Sequence, residues 1–139
     1  MKPSHLARMV LGSLLIVPGL GCADPSGGRE AVSGDIHFKG HPLDQGTIQF
    51  IPSEGQDTTS GSTIEQGKYT VEKIKGLKPG KYKVLITSGD PTQTAPPEEL
   101  PGAPFPVAKE RIPKEYNTDS KQVVEVKQGG PNQFDFTIP

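Results

Sequence analysis

From Val32 onward apolar side chains return at every second position, which is the period of a strand with one buried face. Val32, Gly34, Ile36 and Phe38 share one phase, against Ser33, Asp35 and His37 on the other. Lys39-Gly40-His41-Pro42 reads as a turn, because Gly40 accepts positive φ and Pro42 lacks an amide proton for a ladder. Ile48 and Phe50 then alternate with Thr47, Gln49 and Ile51 to give a second strand. A polar loop over 52–59 leads to a third strand at 60–65. Gln66-Gly67 makes a tight hairpin into a fourth strand at 68–72. Gly76-Leu-Lys-Pro-Gly80 is a turn that delivers strand 81–87, with Tyr82, Val84 and Ile86 on one face. Two closing strands are predicted at 122–127 and 133–138. The core expected from these phases is Ile36, Phe38, Ile48, Phe50, Tyr69, Val71, Tyr82, Val84, Ile86, Val124, Val126, Phe134 and Phe136.

Residues 89–114 break the rhythm. Seven prolines fall from Pro91 to Pro113, too many for any central strand. The segment reads as a polyproline-like excursion wrapping one end of the domain. Leu100, Phe105 and Val107 are the apolar side chains on it that a partner could meet, or that could dock the loop onto the domain edge.

Seven short strands in about a hundred residues bury their apolar faces only if two sheets cover one another, which predicts an all-β, seven-stranded Greek-key β-sandwich of prealbumin-like or Ig-like type. The expected division is 1–21, 22–31 and 32–139, with the proline-rich loop 89–114 inside the last. Residues 1–21 have the layout of an export signal: Lys2 and Arg8, then an apolar stretch from Met9 to Leu20 that is too short for a permanent span. Gly21-Cys22 resembles the bacterial lipobox, although Leu20 sits two residues before the cysteine rather than three. The resemblance implies diacylation of the Cys22 sulfur and cleavage just before it. It also accounts for a single cysteine in an exported chain, where a free thiol would be a liability. Residues 22–31 hold nothing to bury and are expected to be a flexible tether.

Charge narrows the partners. The formal net charge is −1, with 15 basic and 16 acidic residues and no basic block. Nucleic-acid binding therefore has no electrostatic support, and membrane attachment has to come from the lipid.

The order of turn and core residues carries a family resemblance. Val32-Ser-Gly-Asp-Ile-His-Phe-Lys-Gly-His-Pro-Leu, Gly46-Thr-Ile-Gln-Phe-Ile-Pro, Gly67-Lys-Tyr and Gly76-Leu-Lys-Pro-Gly-Lys-Tyr-Lys-Val resemble the carboxypeptidase regulatory-like, transthyretin-related β-sandwich. More narrowly, Ile112-Pro-Lys-Glu-Tyr-Asn, Val123-Val-Glu-Val-Lys and Asn132-Gln-Phe-Asp-Phe are similar to small lipoproteins abundant in planctomycetes. The resemblance implies a fold and an envelope location, and it implies no reaction, since a fold does not fix a function.

A catalytic site is not legible. A nucleophile needs a base oriented by a carboxylate, and beyond the signal only His37 and His41 are present, with no second cysteine and no Gly-x-Ser-x-Gly. His41 and Asp44 have the atom types of metal ligands, but a turn holding Pro42 is a poor frame for zinc and no third histidine joins them. The Tyr-Arg-Gly-Ser ending of the hydroxyisourate hydrolases is missing, and the chain ends Phe136-Thr-Ile-Pro139. Lys39 with Asn132 as an isopeptide pair, and Tyr69, Tyr82 and Tyr116 as a sugar-stacking platform, are both outweighed by ordinary turn and core roles. The expectation is an exported protein, lipid-anchored in the cell envelope at the outer membrane, acting as a structural or protein-interaction module. No enzyme activity, cofactor or metal is expected. The alternative is a small-ligand or glycan-binding module that uses the 89–114 loop, so an envelope protein or a glycan is the expected partner.

Overall fold

The computed structural model describes residues 24–94, 102 and 107–139. Ten strands form where the sequence predicts seven: β1 (Val32–Phe38), β2 (His41–Pro42), β3 (Gln45–Pro52), β4 (Ser60–Glu65), β5 (Lys68–Val71), β6 (Gly80–Thr87), β7 (Gly89–Thr94), β8 (Ala108–Glu110), β9 (Val123–Val126) and β10 (Phe136–Ile138). Two 3-10 turns, Lys73–Lys75 and Lys114–Tyr116, are the only helical elements among the described residues. The protein is all-β.

Eight strands make one curled sheet in the order β10-β1-β5-β4-β3-β6-β9, with β2 paired to β1. All its pairs are antiparallel except β1 with β10, where Ile36 faces Phe136 in a parallel register. Both tight turns follow the chemistry of the sequence. Lys39 and Gly40 have φ of 52° and 81°, and Gln66 and Gly67 have 51° and 77°. Two consecutive positive-φ residues are the signature of a type I′ hairpin.

The alternation sorts side chains as expected along β1, β3 and β6. Ile36, Ile48, Phe50, Tyr82, Val84 and Ile86 are fully buried, and Tyr69, Val71, Val126 and Phe136 nearly so. Phe38, Val124 and Phe134 are half-buried and pack against this cluster. Val32, Leu43, Ile64, Leu77, Ile112 and Ile138 complete the core from positions outside the predicted set. Leu77 and Ile112 sit in turns and loops, where no period marks them.

Two expectations are corrected. The two ends of the excursion, expected to be polyproline-like, pair with each other as strands: Gly89 with Glu110, Asp90 with Lys109 and Thr94 with Ala108, with a register shift between Asp90 and Thr94. Pro91 is tolerated because β7 has only one ladder partner. Secondly, the expected tether over 22–31 is laid against the domain from Asp24 onward. Glu30 and Leu77 exchange both backbone hydrogen bonds, at 2.8 and 3.0 Å. Arg29 Nη1 donates to the Gly76 carbonyl at 3.3 Å, and the Ser26 side chain is buried.

The strands run between two opposite ends. β6 starts at Gly80, beside the 73–78 turn, and ends at Thr87, one residue before the excursion. Seven steps of roughly 3.3 Å separate those ends by about 23 Å. β1 runs the same way, from Val32 near the Glu30–Leu77 bridge to Phe38 under Arg111.

Candidate functional site

The excursion is held at its feet by a polar network. Ser88 follows β6 and is 2% exposed. Its hydroxyl donates to the Gln45 carbonyl at 2.5 Å and accepts from Arg111 Nε at 2.9 Å, so both of its hydrogen-bonding roles are filled. The Glu110 carboxylate accepts the Ser88 amide at 3.0 Å and the Ile112 amide at 2.8 Å. The Arg111 amide donates to the Ser88 carbonyl at 3.0 Å, which extends the β7–β8 ladder toward the core. The Arg111 guanidinium also pairs with the Asp44 carboxylate and stands 5.9 Å from the centre of the Phe38 ring. Lys39 lies over the same ring at 5.0 Å. Arg111 beside Asp44 holds that carboxyl below its ordinary value. An Arg with a carboxylate, a hydroxyl and an aromatic face is a planar group used on every side.

Around these feet lies an open groove of about 740 Å³, walled by the start of β3, the end of β4 and the base of the excursion. Thr47, Thr63, Glu65, Ser88 and Glu110 give it a polar lining, with Val107 and Ala108 on the excursion side. No aromatic side chain is among its described lining residues.

Of the residues singled out from the sequence, Val107 is 45% exposed on the rim of this groove. Leu100, Phe105 and Cys22 lie outside the described residues. His41 is exposed at the start of β2 and pairs in register with Phe38, while Asp44 turns to Arg111 instead. Among the described residues no group of three or more His, Cys, Asp or Glu stands close enough to hold a metal ion. Lys39 and Asn132 lie at opposite ends of β1: the Lys39 amide reaches Ile138, and Asn132 accepts from Ser33. Six residues of strand, about 20 Å, separate them, so no isopeptide bond can form. Tyr69 and Tyr82 are core residues whose hydroxyls donate to the Phe134 and Lys78 carbonyls, each at 2.8 Å. Burial pushes both phenols upward in pKa. Tyr116 packs half-buried against the core, with its hydroxyl 3.4 Å from the Thr137 carbonyl.

Ser88, Glu110 and Arg111 were not legible as a site. Glu110 and Arg111 stand in a short polar-apolar run from Val107 to Ile112 that is flanked by prolines, and nothing in the sequence marks Ser88.

No family model, no curated protein and no solved structure matches this chain.

Proposed function

We propose that this chain is an exported, lipid-anchored envelope protein whose domain is a non-catalytic interaction module that presents the proline-rich excursion to an envelope protein. The observation that carries the reading is the anchoring of the excursion's two feet. Glu110 ties the Ser88 and Ile112 amides together, and Arg111 ties Ser88 to Asp44. Such bracing fixes where the intervening chain leaves and returns, which lowers the ordering cost of recognition. Loops braced on a rigid scaffold are where binding most often resides.

The finer fold in this reading is a sandwich of the transthyretin-related type. Supporting it, β4 and β5 share only one register pair, Glu65 with Lys68. That junction hinges β10-β1-β5 against β4-β3-β6-β9, and Val32, Ile36, Phe50 and Tyr82 from both halves belong to one core. Phe50 and Tyr69, from opposite sides of the junction, have ring centres 6.0 Å apart.

Replacing residues 95–106 with a Gly-Ser linker tests the module reading. Thermal stability is expected to be retained while crosslinking to the envelope partner in intact cells is lost. Unchanged crosslinks would place recognition elsewhere on the domain. A glycan or small-ligand role for the groove is the second reading, favoured by its threonine and carboxylate lining. Saturable binding of envelope oligosaccharides, abolished by Thr63→Val, would establish it over the first.

A further inference from the structure

We infer that the end of the domain opposite the excursion, centred on the Lys73–Lys75 turn, is a membrane-contact surface on which Ile74 enters the interfacial layer and Lys75 meets anionic headgroups. The inference rests on the proposed lipid anchor at Cys22 and adds an orientation to it.

The first described residue, Asp24, lies at this end of the domain. Asp24 Oδ1 accepts from the Ser26 amide and hydroxyl at 3.0 and 2.6 Å, and its other oxygen lies 3.5 Å from Lys73 Nζ. Arg29 and Glu30 then fix the following chain to Gly76 and Leu77. The approach is tight, since a β-carbon on Gly76 would stand 2.0 Å from the Glu30 carbonyl oxygen. Two residue steps separate Cys22 from Asp24, a reach of about 7 Å at full extension. An acyl group on Cys22 therefore cannot hold the domain at a distance. It brings the bilayer surface against the 73–75 turn.

That turn has the composition of an interfacial contact. Ile74 is 56% exposed and stands between two lysines on a turn that buries none of its own side chains. Lys73 is engaged by Asp24 and Lys78 by Asp57, whereas Lys75 has no ion-pair partner among the described residues. The Ser60 hydroxyl donates to the Lys75 carbonyl at 2.5 Å and steadies the turn from β4. An apolar tip with flanking amines is suited to the headgroup boundary, where the alkyl stems bury and the ammonium groups stay wet. With this end on the bilayer, the strands stand across it and carry the feet of the excursion about 23 Å outward.

The chain has no tryptophan, so a single introduced indole reports depth without background. Full-length Ile74→Trp and, at the far end, Thr94→Trp would be purified in lipidated form and placed in phosphatidylethanolamine:phosphatidylglycerol vesicles carrying brominated acyl chains. Mass spectrometry of the mature N-terminus comes first. The indole of Ile74→Trp is expected to be quenched about twofold or more, because interfacial side chains lie only about 5–10 Å into the boundary, and that of Thr94→Trp to be unquenched. Lys75→Glu in the Ile74→Trp background should reduce the quenching. An acylated Cys22 with Ile74→Trp quenched no more than Thr94→Trp overturns the contact surface and leaves the anchor standing. A concentration-dependent blue shift of Ile74→Trp emission without quenching would assign the surface to a second copy of the chain, and overturns the inference as well. A mature terminus lacking acylated Cys22 overturns both readings together.

Discussion

Tyr69 lies directly across the ladder from Gly34, and its hydroxyl donates at 2.8 Å to the carbonyl of Phe134, in the segment that leads into β10. The tyrosine ring thus covers the place where Gly34 has no side chain. A β-carbon there would stand 1.9 Å from the Phe134 oxygen and 3.0 Å from the Tyr69 ring. The glycine is what lets the C-terminal segment and the ring close on β1 together, an arrangement in which an aromatic neighbour makes up for the missing side chain. Gly34→Ala is therefore expected to part the C-terminal segment from β1 at a cost of about 3 kcal/mol, the upper end for overpacking, since the obstacle is backbone. Urea unfolding with an unchanged slope and a lowered midpoint is the expected result. A loss under about half a kilocalorie, the range of an ordinary surface change, would mean that the two segments can separate freely.

Tyr69→Phe isolates the hydroxyl. It removes one buried hydrogen bond and leaves the ring, so a loss of about 1 kcal/mol is expected at neutral pH. The same variant has an alkaline signature. Burial raises the Tyr69 pKa above its ordinary value, with Asp135 and Asp35 adding to the effect. A raised folded-state pKa gives stability that is complete below the unfolded value, near about 10, and is lost as pH climbs toward the folded one. The wild type should lose stability above about pH 10, and Tyr69→Phe should lose less over the same interval. Parallel curves for the two proteins would assign the alkaline loss to other groups.

Phe50→Ala tests the junction between the two halves of the sheet. Phe50 is fully buried and its ring faces Tyr69 at 6.0 Å. A loss of about 3–5 kcal/mol is expected, from lost transfer energy and the cavity left behind. That is a large share of the stability of a domain this size.

Arg111→Ala tests the feet of the excursion. The Arg111 side chain is 23% exposed and its Asp44 partner 62%, so the change in global stability should be about 1 kcal/mol or less. Local opening should respond far more. Amide exchange at Ile112 and Ser88 is expected to accelerate by about tenfold or more while that at Val84 is unchanged, because local opening and global unfolding are separate processes. The sign of the acid limb follows from Asp44, whose pKa is lowered by Arg111. A depressed folded value gives stabilisation present above the unfolded value of about 3.9, lost as pH falls through the folded one. Asp44→Asn should flatten that limb of the exchange profile.

The proposed lipid anchor has its own test. Cys22→Ser is expected to move the protein from the membrane fraction to the soluble one, since no helix among the described residues is long and apolar enough to cross a membrane. Retention in the membrane fraction would point to another attachment.

The local elements were open to reading because their causes are local. Period-two alternation places β1 at Val32–Phe38, the flanking loop and turn place β4 at Ser60–Glu65, and the two positive-φ pairs at Lys39-Gly40 and Gln66-Gly67 follow from turn chemistry alone. The inward phase of Ile36, Phe50, Tyr82 and Val84 follows from the pleat, since a slip of one residue would turn each of them to water. Tertiary structure decided what has no period. The parallel pairing of Ile36 with Phe136 joins residues a hundred positions apart, and no spacing within either strand encodes a neighbour at that distance. The docking of Glu30 on Leu77 turned a polar segment into part of the domain, because paired backbone groups and a close approach at Gly76 hold it there without apolar side chains. The feet of the excursion were hidden for the same reason. Ser88, Glu110 and Arg111 are ordinary polar residues until the sheet brings β6, β3 and β8 to one corner, where the buried Ser88 has to find partners and Glu110 and Arg111 supply them.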